Sequence, residues 1–268
     1  MPELPEVETI RRSLEQVAGK RVTGVTLLRT DIVKKSDVLS IEEVVGSKIR
    51  EIGRRGKYLV IGLGTKGYLV IHFGMTGRLL LVAKDEPVAR HTHAVIDLEG
   101  GCQLRYQDPR RFGGLSFMRD IESFFRCLGP EPLDPSFGVQ ELSRRVKGRA
   151  APVKSVLLDQ KVVAGIGNIY ADEVLFTAGI HPARKACELS EDELVRLHAA
   201  IKEIITRAVE SRGTTFRDYR DGLNHPGQFQ TQLSVYGRAG QPCSKCGGPI
   251  ERMVIGGRST HYCATCQG

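Results

Sequence analysis

Two different spacings of apolar residues divide the chain near residue 130. Between residues 21 and 118, apolar residues alternate with polar ones over 21–28 and form short runs over 58–61, 68–73, 79–82, 94–98, 104–106 and 115–118. Glycine-rich segments separate these runs. Short strands at such regular spacing predict a β-sandwich or a β-barrel for the first half of the chain.

A helical spacing begins after residues 128–137 (LGPEPLDPSF), where three prolines indicate a linker between domains. Apolar residues then recur every three or four positions over 139–146, 153–158, 169–176 and 191–211. Ser190 and Glu193 form the pattern of a capping box at the start of the last helix. The polar segment 213–232 contains glycine and proline, and this composition predicts a loop.

A further helix is predicted at the start of the chain, MPELPEVET. Pro5 suits a first helical turn, and the acidic Glu6 and Glu8 face the positive end of the helix dipole. The apolar face of this helix recurs at steps of three and four, with Val7, Ile10 and Leu14. Pro2 and Glu3 lie before the helix, and helix chemistry does not explain them.

The charge of the chain points to a polyanionic partner. Hydrophobic and charged contents of 41% and 26% are ordinary for a globular protein, but the net charge is +8 and basic residues cluster at 54–57, 110–111 and 144–149. Clustered basic residues are typical of phosphate contacts, although each cluster alone also fits a solvated face. No apolar run reaches the roughly 18 residues of a membrane span, and the acidic opening is unlike a signal peptide. We therefore expect a cytosolic protein.

Four of the seven cysteines lie near the C-terminus, as CSKC and CATC separated by sixteen residues. Two CxxC pairs at this spacing supply four thiolates for a tetrahedral Zn²⁺, and four protein ligands make the zinc structural rather than catalytic. Redox chemistry is disfavoured because no βαβ unit surrounds the pairs. Residues 252–258 between them predict a hairpin with Arg258 near its turn, where it suits phosphate contact.

Two loops carry motifs that have both structural and functional interpretations. GIGN (165–168) opens a helix that Asn168 can cap, and its free backbone N–H groups can bind an anion. DPRRFGG (108–114) fits a turn in which Asp108 pairs with an arginine. It also fits a wedge in which Phe112 enters a base stack while Arg110 fills the gap left by a displaced base. Met75 in HFGMTGR is placed in a similar loop, although buried gap-filling is the usual role of methionine.

Taken together, these segments resemble the bacterial formamidopyrimidine-DNA glycosylases, also called 8-oxoguanine DNA glycosylases. PELPEVE, RRGKYL, HFGMTG, DPRRFG, VAGIGNIYADE, VYGR and the cysteine pairs follow one another in the family's order over the whole chain. The resemblance implies an α+β multidomain fold. An N-terminal β-sandwich with flanking helices covers 1–131, a helical domain with a helix–two-turn–helix element and a lesion loop covers 132–235, and a zinc finger covers 236–268. One structural zinc is expected on Cys243, Cys246, Cys263 and Cys266.

The resemblance also implies a bifunctional reaction on damaged double-stranded DNA. An oxidised purine is excised, and the strand is then cut by β- and δ-elimination. Met1 is removed, and the secondary amine of Pro2 attacks the sugar C1′. Glu3 acts as the acid on the sugar ring, Glu6 supports it, and Lys57 and Arg258 grip phosphates and assist the two eliminations.

DNA contacts are implied at two further sets of positions. Met75, Arg110 and Phe112 match the side chains that fill the space of the flipped nucleotide, because the damaged base must leave the duplex to react. Further DNA contacts match His72, His91, Arg149, Asn168 and Tyr236. Residues 214–219 resemble the lid over the flipped base.

Two other functions stay open on the sequence alone. A sister enzyme of the endonuclease VIII type uses the same terminal proline on oxidised pyrimidines, but Leu4 and the intact DPRRFG favour purines. A zinc-containing protein that binds damaged DNA without catalysis is the alternative from another class. We expect a monomer in the bacterial cytoplasm, associated with the nucleoid and not with a membrane.

Overall fold

All seven apolar segments that predict strands form strands in the computed structural model, which describes residues 1–36 and 41–268. The side chains of residues 35, 36, 41 and 42 lie outside this description. The strands of the first half are β1 (Val22–Leu27), β2 (Val33–Ser36), β3 (Glu51–Arg55), β4 (Tyr58–Gly62), β5 (Tyr68–His72), β6 (Arg78–Ala83), β7 (Thr92–Leu98), β8 (Cys102–Gln107) and β9 (Gly114–Met118).

These strands form two sheets that share one core. The first sheet has the order β1-β7-β8-β6 and the second has the order β2-β9-β5-β4-β3, with β2 parallel to β9 and the other pairs antiparallel. Apolar side chains of both sheets and of helix α1 (Leu4–Ser13) belong to a single buried cluster, for example Ile71, Leu104 and Ile10. This packing is the predicted sandwich.

The sequence analysis did not identify β2 and β3, which are the two edge strands of the second sheet. The sequence of β3 is EIGRR, in which only Ile52 is buried. Charged side chains protect an exposed edge from pairing with another chain, and they also erase the apolar pattern that would identify the strand. Two short helices, α2 (Ile41–Val44) and α3 (Ile121–Phe125), were likewise not predicted.

The second half is helical, as predicted. It contains α4 (Val139–Val146), α5 (Val153–Leu158), α6 (Asn168–Ala178) and α7 (Glu191–Glu210), followed by the hairpin of β10 (Glu251–Ile255) and β11 (Arg258–Tyr262). The capping box of α7 is formed, since the backbone N–H of Ser190 donates to Glu193 and that of Glu193 donates to the Ser190 hydroxyl. Four short 3₁₀ turns occupy Glu15–Val17, Gly64–Lys66, Ala186–Glu188 and Phe229–Gln232.

The chain forms two compact units. The N-terminal unit contains residues 1–127 and 211–228, and the C-terminal unit contains 128–210 and 229–268. The segment 211–228 therefore belongs with the sandwich, although helices and not strands precede it in the chain. Within the described ranges, no helix combines the length and the apolar character needed to cross a bilayer.

Candidate functional site

Pro2 and Glu3 are held at the start of α1 by a pair of buried carboxylates. Glu3 is the N-cap residue, with extended backbone, and its side chain and that of Glu6 form a capping box. The backbone N–H of Glu3 donates to Glu6 Oε2 over 2.7 Å. Pro2 is buried, and Glu3 and Glu6 are 2% and 1% exposed. The first turn of the helix therefore fixes the segment that carries the predicted nucleophile.

Glu6 also anchors the predicted lid. Its second carboxylate oxygen, Oε1, accepts the backbone N–H of Thr214 over 2.7 Å. At the other end of the lid, the hydroxyl of Tyr219 donates to the backbone carbonyl of Glu6 over 3.3 Å. Gly213 has φ +76°, and a Cβ there would lie 2.7 Å from Glu6 Oε1. The tip between these anchors is exposed, with Phe216 55% accessible.

Lys57 lies in the turn between β3 and β4 and is 8% exposed. The strand that leads into this turn is tied to α1, because Arg54 Nε donates to Glu8 Oε2 over 3.2 Å with both side chains largely buried. Burial opposes the charge of Glu8, but the guanidinium of Arg12 and its neighbours outweigh burial and lower the pKa of this carboxyl. The turn of Lys57 and the helix of Pro2 are thus held together by an ion pair.

His72, at the end of β5, is set up as a neutral hydrogen-bond donor. Burial, with a smaller effect of the Lys57 charge, lowers the pKa of the imidazole below its usual value of 6.5. The backbone N–H of Gly74 donates to Nδ1 over 3.2 Å. The neutral ring therefore carries its proton on Nε2, where it can be offered to a phosphate oxygen.

The three side chains predicted to fill the space of a flipped nucleotide lie together. Met75 and Phe112 are 44% and 57% exposed. Arg110 Nη1 lies 3.4 Å from Met75 Sδ, and the Arg110 guanidinium lies 4.5 Å from the centre of the Phe112 ring. His91 is close to the same loop, since its carbonyl accepts the backbone N–H of Asp108 over 3.1 Å.

Two structural interpretations made from the sequence are wrong. Asp108 does not pair with an arginine side chain; its carboxylate accepts two hydroxyls and two backbone N–H groups. Asn168 is not the cap of α6, because Gly167 occupies the N-cap position and Asn168 is the first helical residue. Asn168 Nδ2 instead donates to the carbonyl of Ser259 on the hairpin over 3.0 Å.

The hairpin that carries Arg258 is fixed on the helices by a buried ion pair. Lys154 of α5 and Asp172 of α6 are both fully buried, with 2.7 Å between Nζ and Oδ1. Lys154 Nζ also donates to Thr260 Oγ1, and Asp172 Oδ2 accepts the backbone N–H of His261. Arg258 itself begins β11 next to the turn and is exposed.

Tyr236 is positioned by another buried carboxylate. Glu173 of α6 accepts the backbone N–H groups of Ser234, Val235 and Tyr236 over 2.8–2.9 Å. The Tyr236 ring contacts the ring of His261 with 5.1 Å between centroids. Burial raises the pKa of Glu173, although the three N–H donors counteract part of that effect.

The basic cluster at residues 144–149, in the last turn of α4 and just after it, includes arginines that are paired with carboxylates. Arg149 Nη1 donates to Asp159 Oδ2 over 2.8 Å, and Arg145 Nε donates to Glu141 over 2.5 Å. Arg149 is partly exposed, so a phosphate that binds it competes with Asp159.

The four C-terminal cysteines form a cluster that fits a zinc ion. Their sulfur atoms lie within 4.8 Å of one another, with 3.9 Å between Cys243 and Cys266 and 3.4 Å between Cys246 and Cys263. Tetrahedral zinc with bonds of about 2.3 Å requires sulfur separations of about 3.8 Å. Burial opposes the thiolate of Cys243, yet backbone N–H groups outweigh it and lower its pKa to about 7. The set can therefore hold one structural zinc.

Comparison with known proteins matches this arrangement along the whole chain. Three family profiles match in succession: "Formamidopyrimidine-DNA glycosylase N-terminal domain" over residues 1–115, "Formamidopyrimidine-DNA glycosylase H2TH domain" over 128–220 and "Zinc finger found in FPG and IleRS" over 240–268. A formamidopyrimidine-DNA glycosylase of Syntrophomonas wolfei is 47% identical over 268 residues, which is 100% of both chains. The chain belongs to the formamidopyrimidine-DNA glycosylase family.

Solved structures agree with this assignment. The MutM (Fpg) protein of Thermus thermophilus is 43% identical, covers 99% of this chain and 98% of its own, and superposes with a TM-score of 0.88. A Lactococcus lactis Fpg mutant in complex with a Fapy-dG-containing DNA is 35% identical with a TM-score of 0.91, and covers 99% of both chains. The predicted family, the α+β fold and the structural zinc are thereby confirmed.

The residues that sequence reasoning missed are those that hold the family's site residues in place. Asp108, Lys154, Asp172 and Glu173 are all buried. The three carboxylates lie inside the quoted motifs, whereas Lys154 lies before VAGIGNIYADE in the chain. A charged residue inside an apolar stretch, such as Lys154 between Val153 and Val156, is the only signal that the sequence offers for this role.

Proposed function

We propose that this protein removes oxidised purines, such as 8-oxoguanine and formamidopyrimidines, from duplex DNA and then cuts the strand at the abasic site. The family assignment supports the reaction class, and related structures hold Fapy-dG-containing and abasic-site-containing DNA. The observation that carries the assignment of residues is the placement of Pro2 beside two buried carboxylates at the start of α1.

The reaction begins after removal of Met1, which makes the nitrogen of Pro2 a secondary amine. This nitrogen bonds to the sugar C1′, and the damaged base leaves with the electrons of the glycosidic bond and takes up a proton. The amine loses its proton, and the C1′–O4′ bond of the sugar ring then breaks as O4′ takes up a proton. The product is a cationic iminium between Pro2 and C1′, which withdraws electrons from the sugar. Loss of a proton from C2′ then breaks the C3′–O bond, and a second elimination breaks the C5′–O bond. Water finally releases the sugar from Pro2.

The other predicted catalytic residues divide the remaining tasks. Glu3 gives a proton to the sugar ring oxygen, and Glu6 holds the backbone of Glu3 in place through its 2.7 Å hydrogen bond. Lys57 and Arg258 neutralise the phosphates on either side of the lesion and assist the β and δ steps. A positive charge beside each leaving phosphate stabilises the negative charge that develops there.

Access to C1′ requires the lesion to leave the helix. The exposed cluster of Met75, Arg110 and Phe112 supports this step, because its members already contact one another. Phosphate contacts from His72, His91, Arg149, Asn168 and Tyr236 hold the duplex, and the segment 214–219 covers the flipped base.

Covalent trapping tests the central step. Borohydride added to the protein and abasic-site DNA should capture an adduct, and peptide mapping should place it on Pro2. Pro2→Gly should form the adduct at least about a hundredfold more slowly than the wild type. The control Pro135→Gly, at an exposed proline, should form it at the wild-type rate. Intact mass should show that Met1 is absent. An adduct on an interior lysine, or no adduct, would overturn the mechanism and favour a non-catalytic DNA-binding protein.

Lesion choice is the second test, because a Lactococcus lactis Fpg has also been solved with an oxidised-pyrimidine-containing DNA. We expect faster incision of duplexes with 8-oxoguanine than of duplexes with thymine glycol. The opposite order would assign the endonuclease VIII type of activity.

We further propose that the enzyme acts as a monomer in the cytoplasm, on nucleoid DNA. We also propose that its domains along the chain are 1–131, 132–235 and 236–268, with the segment 211–228 of the middle range packed in the N-terminal unit. Light scattering of the free protein and of its complex with a short duplex should give one chain in each case.

A further inference from the structure

A fully buried carboxylate lies beneath the wedge of Met75, Arg110 and Phe112. Asp108 is 0% exposed and receives four hydrogen bonds. Oδ1 accepts the hydroxyl of Thr76 over 2.5 Å and the backbone N–H of Arg110 over 3.3 Å. Oδ2 accepts the backbone N–H of Gly113 over 2.9 Å and the hydroxyl of Tyr106 over 3.3 Å.

Three of these four donors come from the two loops of the wedge, and the fourth, the hydroxyl of Tyr106, comes from β8. Thr76 follows Met75 in the β5–β6 loop, whereas Arg110 and Gly113 lie on either side of Phe112 in the β8–β9 loop. The two loops touch closely, since a Cβ added at Gly74 would lie 2.4 Å from the nitrogen of Gly113. Asp108 is therefore a shared acceptor at a junction where only backbone can fit.

The three side chains above this junction reach into solvent. Met75 is 44% exposed and Phe112 is 57% exposed, and the guanidinium group of Arg110 contacts both of these side chains. Because the hydrogen bonds of Asp108 fix both loops, the side chains of Met75, Arg110 and Phe112 keep one arrangement before DNA binds. Inserting a preorganised group into a base stack avoids the entropy loss of ordering it during insertion.

We propose that Asp108 is a positioning residue for base extrusion, which holds the Met75 loop and the Arg110–Phe112 loop as a single wedge. This inference rests on the proposed function, because it assumes that the wedge fills the space of the flipped lesion. Asp108 does not contact the sugar or the base. Its loss should slow the step that removes the lesion from the stack and leave the reaction at C1′ largely intact.

Asp108→Asn tests this separation. The amide keeps the size of the side chain but turns an NH₂ donor toward one of the two pairs of donors. Each pair includes a backbone N–H, so at least one hydrogen bond is lost. We expect single-turnover excision of 8-oxoguanine opposite cytosine to fall at least tenfold. Borohydride trapping on a preformed abasic site should fall less than threefold, because no base has to be extruded there.

A fluorescent 2-aminopurine next to the lesion should report the insertion step directly. We expect the fast phase of the 2-aminopurine fluorescence change to slow in Asp108→Asn by the same factor as excision. General loosening of the fold would not produce this effect. Thr76→Val removes one donor to the same carboxylate and should give a smaller defect in the same direction. Asp97→Asn, at a sheet carboxylate that accepts Gln103 Nε2 over 2.9 Å, is the matched control and should be unchanged.

The outcomes separate this inference from the proposed function. Equal losses on 8-oxoguanine and abasic substrates, or an unchanged 2-aminopurine phase in Asp108→Asn, would overturn the positioning role. If Asp108→Asn does not fold, the same comparison in Thr76→Val decides. Failure of the wild type to trap abasic DNA would instead refute the proposed function itself.

Discussion

Glu6 illustrates at the scale of a single residue how a site is assembled from distant sequence. One carboxylate oxygen accepts the N–H of Glu3 and the other accepts the N–H of Thr214, each over 2.7 Å. The segment of the proposed nucleophile and the proposed lid are thus fixed by the same side chain. A carboxylate is suited to this role because both of its oxygens are acceptors.

Glu6→Gln should therefore lose one of these two contacts. One oxygen becomes an amide NH₂ that faces an N–H donor, and leaving a buried donor unsatisfied costs about 1–3 kcal/mol. We expect a fall of about tenfold or more in the rate of trapping on abasic DNA. Glu15→Gln, at a carboxylate on the surface next to α1, is the control and should trap normally. Trapping rates of Glu6→Gln within a factor of two of the wild type would contradict this role.

His72 allows a prediction about pH. Burial lowers its pKa, so the neutral form of the ring predominates in the folded protein at pH 6.5 and above. The stabilising contribution of the neutral ring is lost as the pH falls from 6.5 through the lowered pKa. His72→Ala should weaken DNA binding about three- to tenfold, the value of one hydrogen bond, equally at pH 6.5 and 8. Fluorescence anisotropy titrations would measure this. A loss that grows toward pH 6.5 would mean that the imidazolium binds the phosphate.

At the scale of elements, α5, α6 and β11 are joined by the buried pair of Lys154 and Asp172. The pair is surrounded by hydrogen bonds to the hairpin, at Thr260 and His261. The position of Arg258 relative to the helices therefore depends on charges that are hidden from solvent.

Lys154→Met should destabilise the protein strongly, because removing one partner leaves an unpaired buried charge at a cost of about 3–5 kcal/mol. We expect a fall of roughly 10 °C in the melting temperature, measured by calorimetry. Lys185→Met removes an exposed ion pair with Glu188. It should change the melting temperature only slightly, since surface pairs contribute about 0–1 kcal/mol. Similar melting temperatures for the two variants would contradict the importance of the buried pair.

The elements themselves were largely predictable, whereas their contacts were not. The strands with apolar runs, the four long helices and the capping box at Ser190 follow from local patterns, and the structure confirms them. The edge strand β3 was missed because its charges mask its single core residue, Ile52. The partner of Asp108 was mistaken because sequence distance favours a neighbouring arginine, while the actual partner hydroxyl at Thr76 is 32 positions away.

At the scale of the whole molecule, the zinc cluster decides whether the C-terminal tail folds. The tail packs around a small cluster of five buried apolar residues, of which two are cysteines and one, Phe176, belongs to α6. So small a core does not stabilise a finger without metal, and structural zinc contributes about 10–16 kcal/mol to the folding of such modules.

Removal of zinc should therefore abolish DNA binding through loss of the hairpin. A strong chelator under reducing conditions should weaken affinity for lesion DNA about a hundredfold or more, and added zinc should restore it. Elemental analysis should give one zinc per chain, and Cys246→Ser should lose it while Cys187→Ser, at an exposed cysteine outside the cluster, should keep it. Full affinity in the metal-free protein would show that the finger is dispensable.

Residues 211–228 belong to the N-terminal unit although they are synthesised late, and this has a consequence for folding during translation. On the ribosome, the sandwich emerges long before Thr214, which closes onto Glu6 from 208 positions downstream. A nascent chain can therefore fold its two sheets while Glu6 still lacks its hydrogen bond from Thr214. This bond forms only after α7 has been synthesised, so products truncated before residue 214 are released without it.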